Sequence, residues 1–112
     1  MNYKETAKRD GNENKELQKA APEIMNAFSN LHGEYSKESA LSMVTKECVA
    51  LGISIAIRCE PCILAHVQTF IKVGGTREEL VDVIKTAVLM GGGPGTAYGQ
   101  KALAAFDEFS KE

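Results

Sequence analysis

Two cysteines and a histidine lie close together near the middle of the chain, in the segment CEPCILAH at residues 59–66. Their offsets of three and four residues place Cys59, Cys62 and His66 on one face of an α-helix. Since proline is tolerated only in a first helical turn, this helix is expected to begin at about Glu60, with Cys59 at its N-cap. The unpaired amides and the positive end of the helix dipole at that position favour a thiolate, which is the reactive form of sulfur.

The same cysteine spacing also occurs in zinc ribbons, iron–sulfur clusters and thioredoxin-like proteins. A structural zinc ion needs four ligands, and only Cys48 and His32 remain as further sulfur or nitrogen donors. Cys48 lies in an apolar helical stripe, where a free cysteine behaves as a small hydrophobic residue. His32 is expected on the surface, in the last turn of a helix. We therefore expect neither a bound metal nor a cofactor, and the absence of a βαβ pattern disfavours a thioredoxin-like fold.

Composition narrows the class of protein further. The 112 residues are 44% hydrophobic and 25% charged, which suits a single domain. The sequence contains no apolar run of about eighteen residues and no signal peptide, so we expect a soluble cytoplasmic protein without a membrane partner. With a net charge of -2 and a pI near 5.7, the chain has no basic excess to bind nucleic acid.

The hydrophobic periodicity predicts an all-α fold, a compact bundle of five to six helices. Residues 1–14 are polar and are predicted to form a flexible tail, and residues 15–112 form the single domain. The alternation in Ile53–Ile57 leaves a strand as the second interpretation of that stretch. After a short turn at residues 17–21, helices are predicted from Pro22 to Gly33, from Ala40 to Ile57, from about Glu60 to Val73, from the capping box at Thr76 to about Met90, and from about Thr96 to the C-terminus.

A carboxylate on the preceding helix belongs with the cysteines. Glu47 is close enough along the chain for its helix to fold back onto the site, and a partly buried glutamate can serve as a base. Glu47, then Cys59, Cys62 and His66 at fixed spacing, and then the Gly-Gly-Thr boundary at 74–76, resemble the alkylhydroperoxidase D and carboxymuconolactone decarboxylase superfamily. The resemblance spans roughly residues 17–109.

The resemblance implies an all-α bundle that assembles into homo-oligomers, often trimers or hexamers. Apolar residues on more than one face of the helices at 40–57 and 79–90 also predict a homo-oligomer. In the alkylhydroperoxidase branch the cysteines form a redox pair. Carried over, Cys62 is the peroxidatic thiol, Cys59 is the resolving and exchange thiol, and Glu47 with His66 forms a proton relay.

The function implied is reduction of a small peroxide or disulfide, with a lipoyl group, a thioredoxin-like protein or a small thiol as the reductant. Some members have a second histidine directly before the second cysteine, where this sequence has Pro61, so part of the relay is missing. Two alternatives are a decarboxylase-like enzyme acting on a small lactone acid and a non-catalytic oligomeric module. The decarboxylase branch typically lacks the cysteine pair.

Overall fold

A computed structural model describes residues 1–111, and within that range the chain forms six α-helices and no strand. The all-α class and the predicted number of helices are thus confirmed, and the stretch with alternating isoleucines belongs to a helix. The helices are α1 (Tyr3–Ala20), α2 (Pro22–Tyr35), α3 (Met43–Ala56), α4 (Glu60–Lys72), α5 (Arg77–Gly91) and α6 (Gly93–Phe109).

The hydrophobic core is formed by α3, α4, α5 and α6, because only these helices contribute fully buried apolar residues among the residues described. The rings of Phe70 and Phe106 lie 6.2 Å apart and join α4 to α6. The buried apolar set is Leu51, Ile55, Ile63, Leu64, Val67, Phe70, Leu80, Ala87, Ala102, Ala105 and Phe106. Each of these four helices therefore presents an apolar stripe to the centre of the bundle.

Side-chain caps set several helix boundaries. Thr76 and Glu79 form the predicted capping box at the start of α5. Ser42 caps α3, so this helix begins three residues later than the predicted Ala40. The glycine-rich break after α5 is shorter than predicted because only Gly92 leaves the helical conformation, with a φ of 63°. Proline in the first turn then starts α6 at Gly93 rather than Thr96.

The N-terminal residues differ from the prediction of a flexible tail. Helix α1 starts with a capping box formed by Asn2 and Glu5. The carboxylate of Glu108 accepts hydrogen bonds from the backbone N–H of Tyr3, at 3.1 Å, and of Lys4. Tyr3 and Ala7 also pack against the core. Polar composition indicated a tail, but α6 supplies a carboxylate at the positive end of α1, and this stabilises the helix.

Helix α2 follows directly after Ala21, packs beside α1 and contains no buried residue. Its C-terminal residue Tyr35 connects it to α3 through two hydrogen bonds, one from the hydroxyl to Glu47 and one from Lys46 to the backbone oxygen. None of the helices in residues 1–111 combines the length and the apolar character needed to cross a membrane.

Candidate active site

The predicted cysteine pair is a disulfide at the first turn of α4. Cys59 is the N-cap, as predicted, and its Sγ accepts a hydrogen bond from the backbone N–H of Cys62 at 3.3 Å. The sulfur atoms are bonded at 2.06 Å, and the two Cα atoms are 5.2 Å apart. Both residues are partly exposed. The spacing of three residues at a helix start thus lets the thiols join without unwinding the helix.

Glu47 is the most completely buried charged residue in the described part of the chain, with 1% of its surface exposed. Helix α3 packs against α4, so one Glu47 oxygen, Oε1, lies 2.7 Å from Nδ1 of His66. The other oxygen, Oε2, accepts a hydrogen bond from the Tyr35 hydroxyl at 2.8 Å. An ionised carboxylate is only an acceptor, so it selects the imidazole tautomer with the proton on Nδ1 and leaves Nε2 as a proton acceptor.

Tyr35 is a site residue that the sequence analysis did not identify. Burial, followed by the hydrogen bond and the negative charge of Glu47, raises the pKa of Tyr35 to about 12. The phenol therefore remains a neutral donor to Glu47 at physiological pH. Lys46 holds the turn before α3 in place by donating to the backbone oxygens of Tyr35, at 3.0 Å, and Lys37, at 2.9 Å. No spacing rule signals Tyr35, since a loop separates it from Glu47.

A cleft between α2 and α4, closed on one side by α1, contains Cys62 and His66. We call it the α2–α4 cleft; its lining includes Phe28 and His32 from α2, Asp10 from α1, and Pro61, Cys62 and His66 from α4. His32 is exposed, as predicted for a surface residue. It lies on the α2 side of this cleft, with its ring 4.9 Å from that of Phe28. Cys62 and His66 thus share one solvent-accessible space with an apolar wall from α2.

The predicted site residues fall into two groups. His66 and Glu47 are in direct contact, and Cys59 and Cys62 are in direct contact. Both carboxylate oxygens of Glu47 are taken by Tyr35 and His66. The predicted pairing of Glu47 with His66 is thus present as a direct contact, and the imidazole of His66 connects the buried carboxylate to the cleft.

Cys48 is the one free cysteine in residues 1–111 and lies apart from this site. It lines a groove between α3 and α5 with Val49 and Val83. Burial, and then the charges of Glu79 and Glu47, raise the pKa of the Cys48 thiol. A raised pKa lowers the fraction of Cys48 that is thiolate at neutral pH, and with it the nucleophilic reactivity of this residue.

Comparison with known proteins identifies the family to which this chain belongs. Residues 22–108 match the model of the carboxymuconolactone decarboxylase family, and the chain belongs to that family. An uncharacterized protein of Cupriavidus necator is 35% identical over 91 residues, which cover 81% of this chain and 80% of that protein. The uncharacterized protein 4 of the cox locus of Paracoccus denitrificans is 32% identical over 93 residues, covering 83% and 84%.

A solved structure shows the same fold. It is the crystal structure of an apo carboxymuconolactone decarboxylase family protein from Legionella pneumophila, which is 40% identical to this chain. The two superpose with a TM-score of 0.93 over 97% of each chain. The predicted resemblance to the superfamily is thus confirmed.

Proposed function

We propose that the protein is a thiol–disulfide oxidoreductase of the alkylhydroperoxidase type, whose Cys59–Cys62 pair cycles between dithiol and disulfide. The observation that carries this proposal is the disulfide closed within the first turn of α4, with Cys62 and His66 in one cleft. Family membership is compatible with several activities, and a partly exposed disulfide at a helix N-terminus, with a histidine in the same cleft, favours redox chemistry among them.

In the oxidative half of the cycle, Cys62 is the attacking thiol. Nε2 of His66 accepts its proton, and the buried carboxylate of Glu47 stabilises the imidazolium that results. The thiolate attacks one peroxide oxygen, the O–O bond breaks, and the alkoxide leaves as an alcohol with the proton from His66. Cys62 is left as a sulfenic acid. The Cys59 thiol condenses with it, giving the disulfide and water.

In the reductive half, two electrons return from an external thiol. A thiolate attacks the Cys59 sulfur to form a mixed disulfide and releases Cys62 as a thiolate, which takes up a proton. A second external thiolate then attacks the external sulfur of the mixed disulfide and releases Cys59 as a thiolate, which takes up a proton. The two external thiols leave as a disulfide. The reductant is a lipoyl group, a thioredoxin-like protein or a small thiol. Without a peroxide, the reverse of this half-cycle reduces a disulfide substrate.

Thiol titration tests the proposal. The reduced protein contains three cysteines. After one equivalent of an alkyl hydroperoxide, we expect two thiols to disappear and to return on treatment with dithiothreitol. Cys48→Ser is the matched control, because it removes only the thiol that lies outside the site. This variant should still lose two thiols on treatment with the hydroperoxide.

Retention of all three thiols after treatment with peroxide and with small disulfides would contradict the redox proposal. That result would instead favour a lyase acting on a lactone acid or a non-catalytic module, since neither uses the cysteines. Loss of two thiols with disulfides but not with peroxide would assign the protein to disulfide reduction alone.

A further inference from the structure

The residue directly before the redox pair has an unusual backbone conformation. Arg58 has a φ of 60° and is the only non-glycine residue with a positive φ in residues 1–111. It lies at the end of α3, where its N–H bonds to the oxygen of Ile55 at 3.1 Å and the N–H of Cys59 bonds to the oxygen of Ser54 at 3.1 Å. These two bonds define a Schellman motif with Arg58 at the left-handed position. A residue with a Cβ is disfavoured there.

The end of α4 has the same motif, with glycine at the left-handed position. There, Gly74 has a φ of 95°, its N–H bonds to the oxygen of Ile71 at 3.1 Å, and the N–H of Gly75 bonds to the oxygen of Phe70 at 2.8 Å. The two motifs are equivalent, but one has glycine and the other arginine. The strain at Arg58 therefore indicates a use for its side chain.

The charges around Cys59 suggest that use. Arg58 is exposed and forms no ion pair within the described residues. On the other side of Cys59, the carboxylate of the acid Glu60 lies 3.6 Å from the ammonium of Lys101, which offsets part of its negative charge. A free positive charge thus remains one residue from the exchange sulfur. Adjacent Cα atoms are about 3.8 Å apart, and screening acts over about 8 Å at physiological salt, so we expect this charge to act on a molecule bound at Cys59.

We infer that Arg58 is a specificity-determining residue that selects thiols and disulfides bearing carboxylates for exchange at Cys59. The inference rests on the proposed redox function. In the direction from reduced protein, the Cys59 thiolate attacks one sulfur of the small disulfide and expels the first thiolate. Cys62 then attacks Cys59 and expels the second. The protein loses two electrons and two protons, and the small disulfide becomes two thiols.

The test measures the rates at which reduced protein reacts with 3,3′-dithiodipropionate, which is anionic, and with cystamine, which is cationic. Arg58→Gln should lower the ratio of the anionic rate to the cationic rate by about two- to fivefold at low salt, the size expected for one partly screened charge. Arg58→Lys should keep the parental ratio. Arg58→Gly should behave as Arg58→Gln and also melt at a higher temperature, because the strain is relieved.

Lys72→Gln is the matched control, since it removes an exposed positive charge that forms no ion pair within the described residues and lies in the last turn of α4, and it should leave the ratio unchanged. Added salt should reduce the parental preference. A cation at the C-terminal end of α3 also suits the helix dipole, but a purely structural role would change both rates together. An unchanged ratio in Arg58→Gln, or an equal fall in both rates, would overturn the inference while leaving the redox function intact. Failure of the parent protein to react with either disulfide or with peroxide would overturn both.

Discussion

At the scale of single residues, the proposed chemistry depends on how the fold holds Glu47. A carboxylate buried to 1% exposure is stable only when its oxygens are hydrogen-bonded. Tyr35 and His66 each occupy one oxygen. The same contacts that satisfy the carboxylate orient the imidazole and fix its tautomer, so the stability of the fold and the proposed catalysis rely on one small network.

The first prediction concerns the division of roles between the cysteines. Cys62→Ser and Glu47→Gln should both suppress reaction with peroxide, the latter by about 10²- to 10⁴-fold because it removes the group that stabilises protonated His66. Cys59→Ser should react once and stop at a sulfenic acid on Cys62. Trapping with a dimedone-type reagent and locating the adduct by mass spectrometry measures this. An adduct at Cys59 in Cys62→Ser, or parental reactivity in Glu47→Gln at neutral pH, would show that the roles are wrong.

The second prediction concerns the pH dependence of stability. The pKa of Tyr35 is raised to about 12 from 10.0. The raised value means that the folded state holds this proton more tightly than the unfolded state. Its stabilising contribution is therefore complete below pH 10 and is lost as the pH rises from 10 to 12.

Tyr35→Phe should remove that contribution. Its melting temperature should lie below that of the parent at pH 8, because the hydrogen bond to a buried charge contributes about 1.5–3 kcal/mol. The difference should shrink between pH 10 and 12. Circular dichroism melts of both proteins measure it, with Tyr98→Phe as the control for a tyrosine on α6. A constant difference across this range would contradict the assignment.

At the scale of helices, the close approach of α5 and α6 depends on glycine. A Cβ atom at Gly95 would lie 2.7 Å from the backbone oxygen of Ala87 and 2.9 Å from the Cα of Val88. Since the neighbouring atoms belong to the α5 backbone, they cannot rotate away. The glycine-rich segment thus acts as a contact surface as well as a connection.

The third prediction follows from this contact. Gly95→Ala should lower the free energy of unfolding by about 1–3 kcal/mol, because the two helices must separate. Gly91→Ala is the matched control, since a Cβ there meets nothing within 4 Å, and it should be neutral or slightly stabilising. Urea denaturation of both variants gives the comparison. Equal stabilities would mean that the helices do not pack this closely in solution.

At the scale of the whole molecule, much apolar surface remains uncovered in the single chain. On α3 and α5, Ile53 is 55% exposed, Leu89 is 80% exposed and Met90 is 79% exposed. Phe28 on α2 is also half exposed. Exposed apolar patches of this kind are typical of protein–protein interfaces. The sequence of α3 and of α5 is apolar on more than one face. The apolar faces that point away from the core are therefore available for contact with another subunit.

The fourth prediction is that the protein is a homo-oligomer, and we propose a trimer or hexamer. Light scattering at micromolar concentration should give a mass several times that of the chain. Ile53→Lys with Leu89→Lys should shift the protein to smaller species, because burying unpaired charges in an apolar contact is costly. Ser39→Lys, in the exposed loop between α2 and α3, is the control. A monomer at micromolar concentration would contradict the prediction.

Interactions within about one helical turn were predictable from the sequence. The start of α4 with Cys59 as its N-cap, the Thr76 capping box, and the left-handed Gly74 all depend on neighbours at most five residues away. The grouping of cysteines and histidine on one helix face follows from the same local geometry. The all-α class and the family resemblance could therefore be stated without coordinates.

Contacts between distant residues were decided by the tertiary structure. Tyr35 reaches Glu47 across 12 residues, and Glu108 holds the start of α1 across 105 residues. Polar composition alone could not distinguish a tail from a helix that is capped by another element. The left-handed Arg58 was likewise not predictable, since arginine is disfavoured there and only the requirement to join α3 to the N-cap of α4 imposes that conformation.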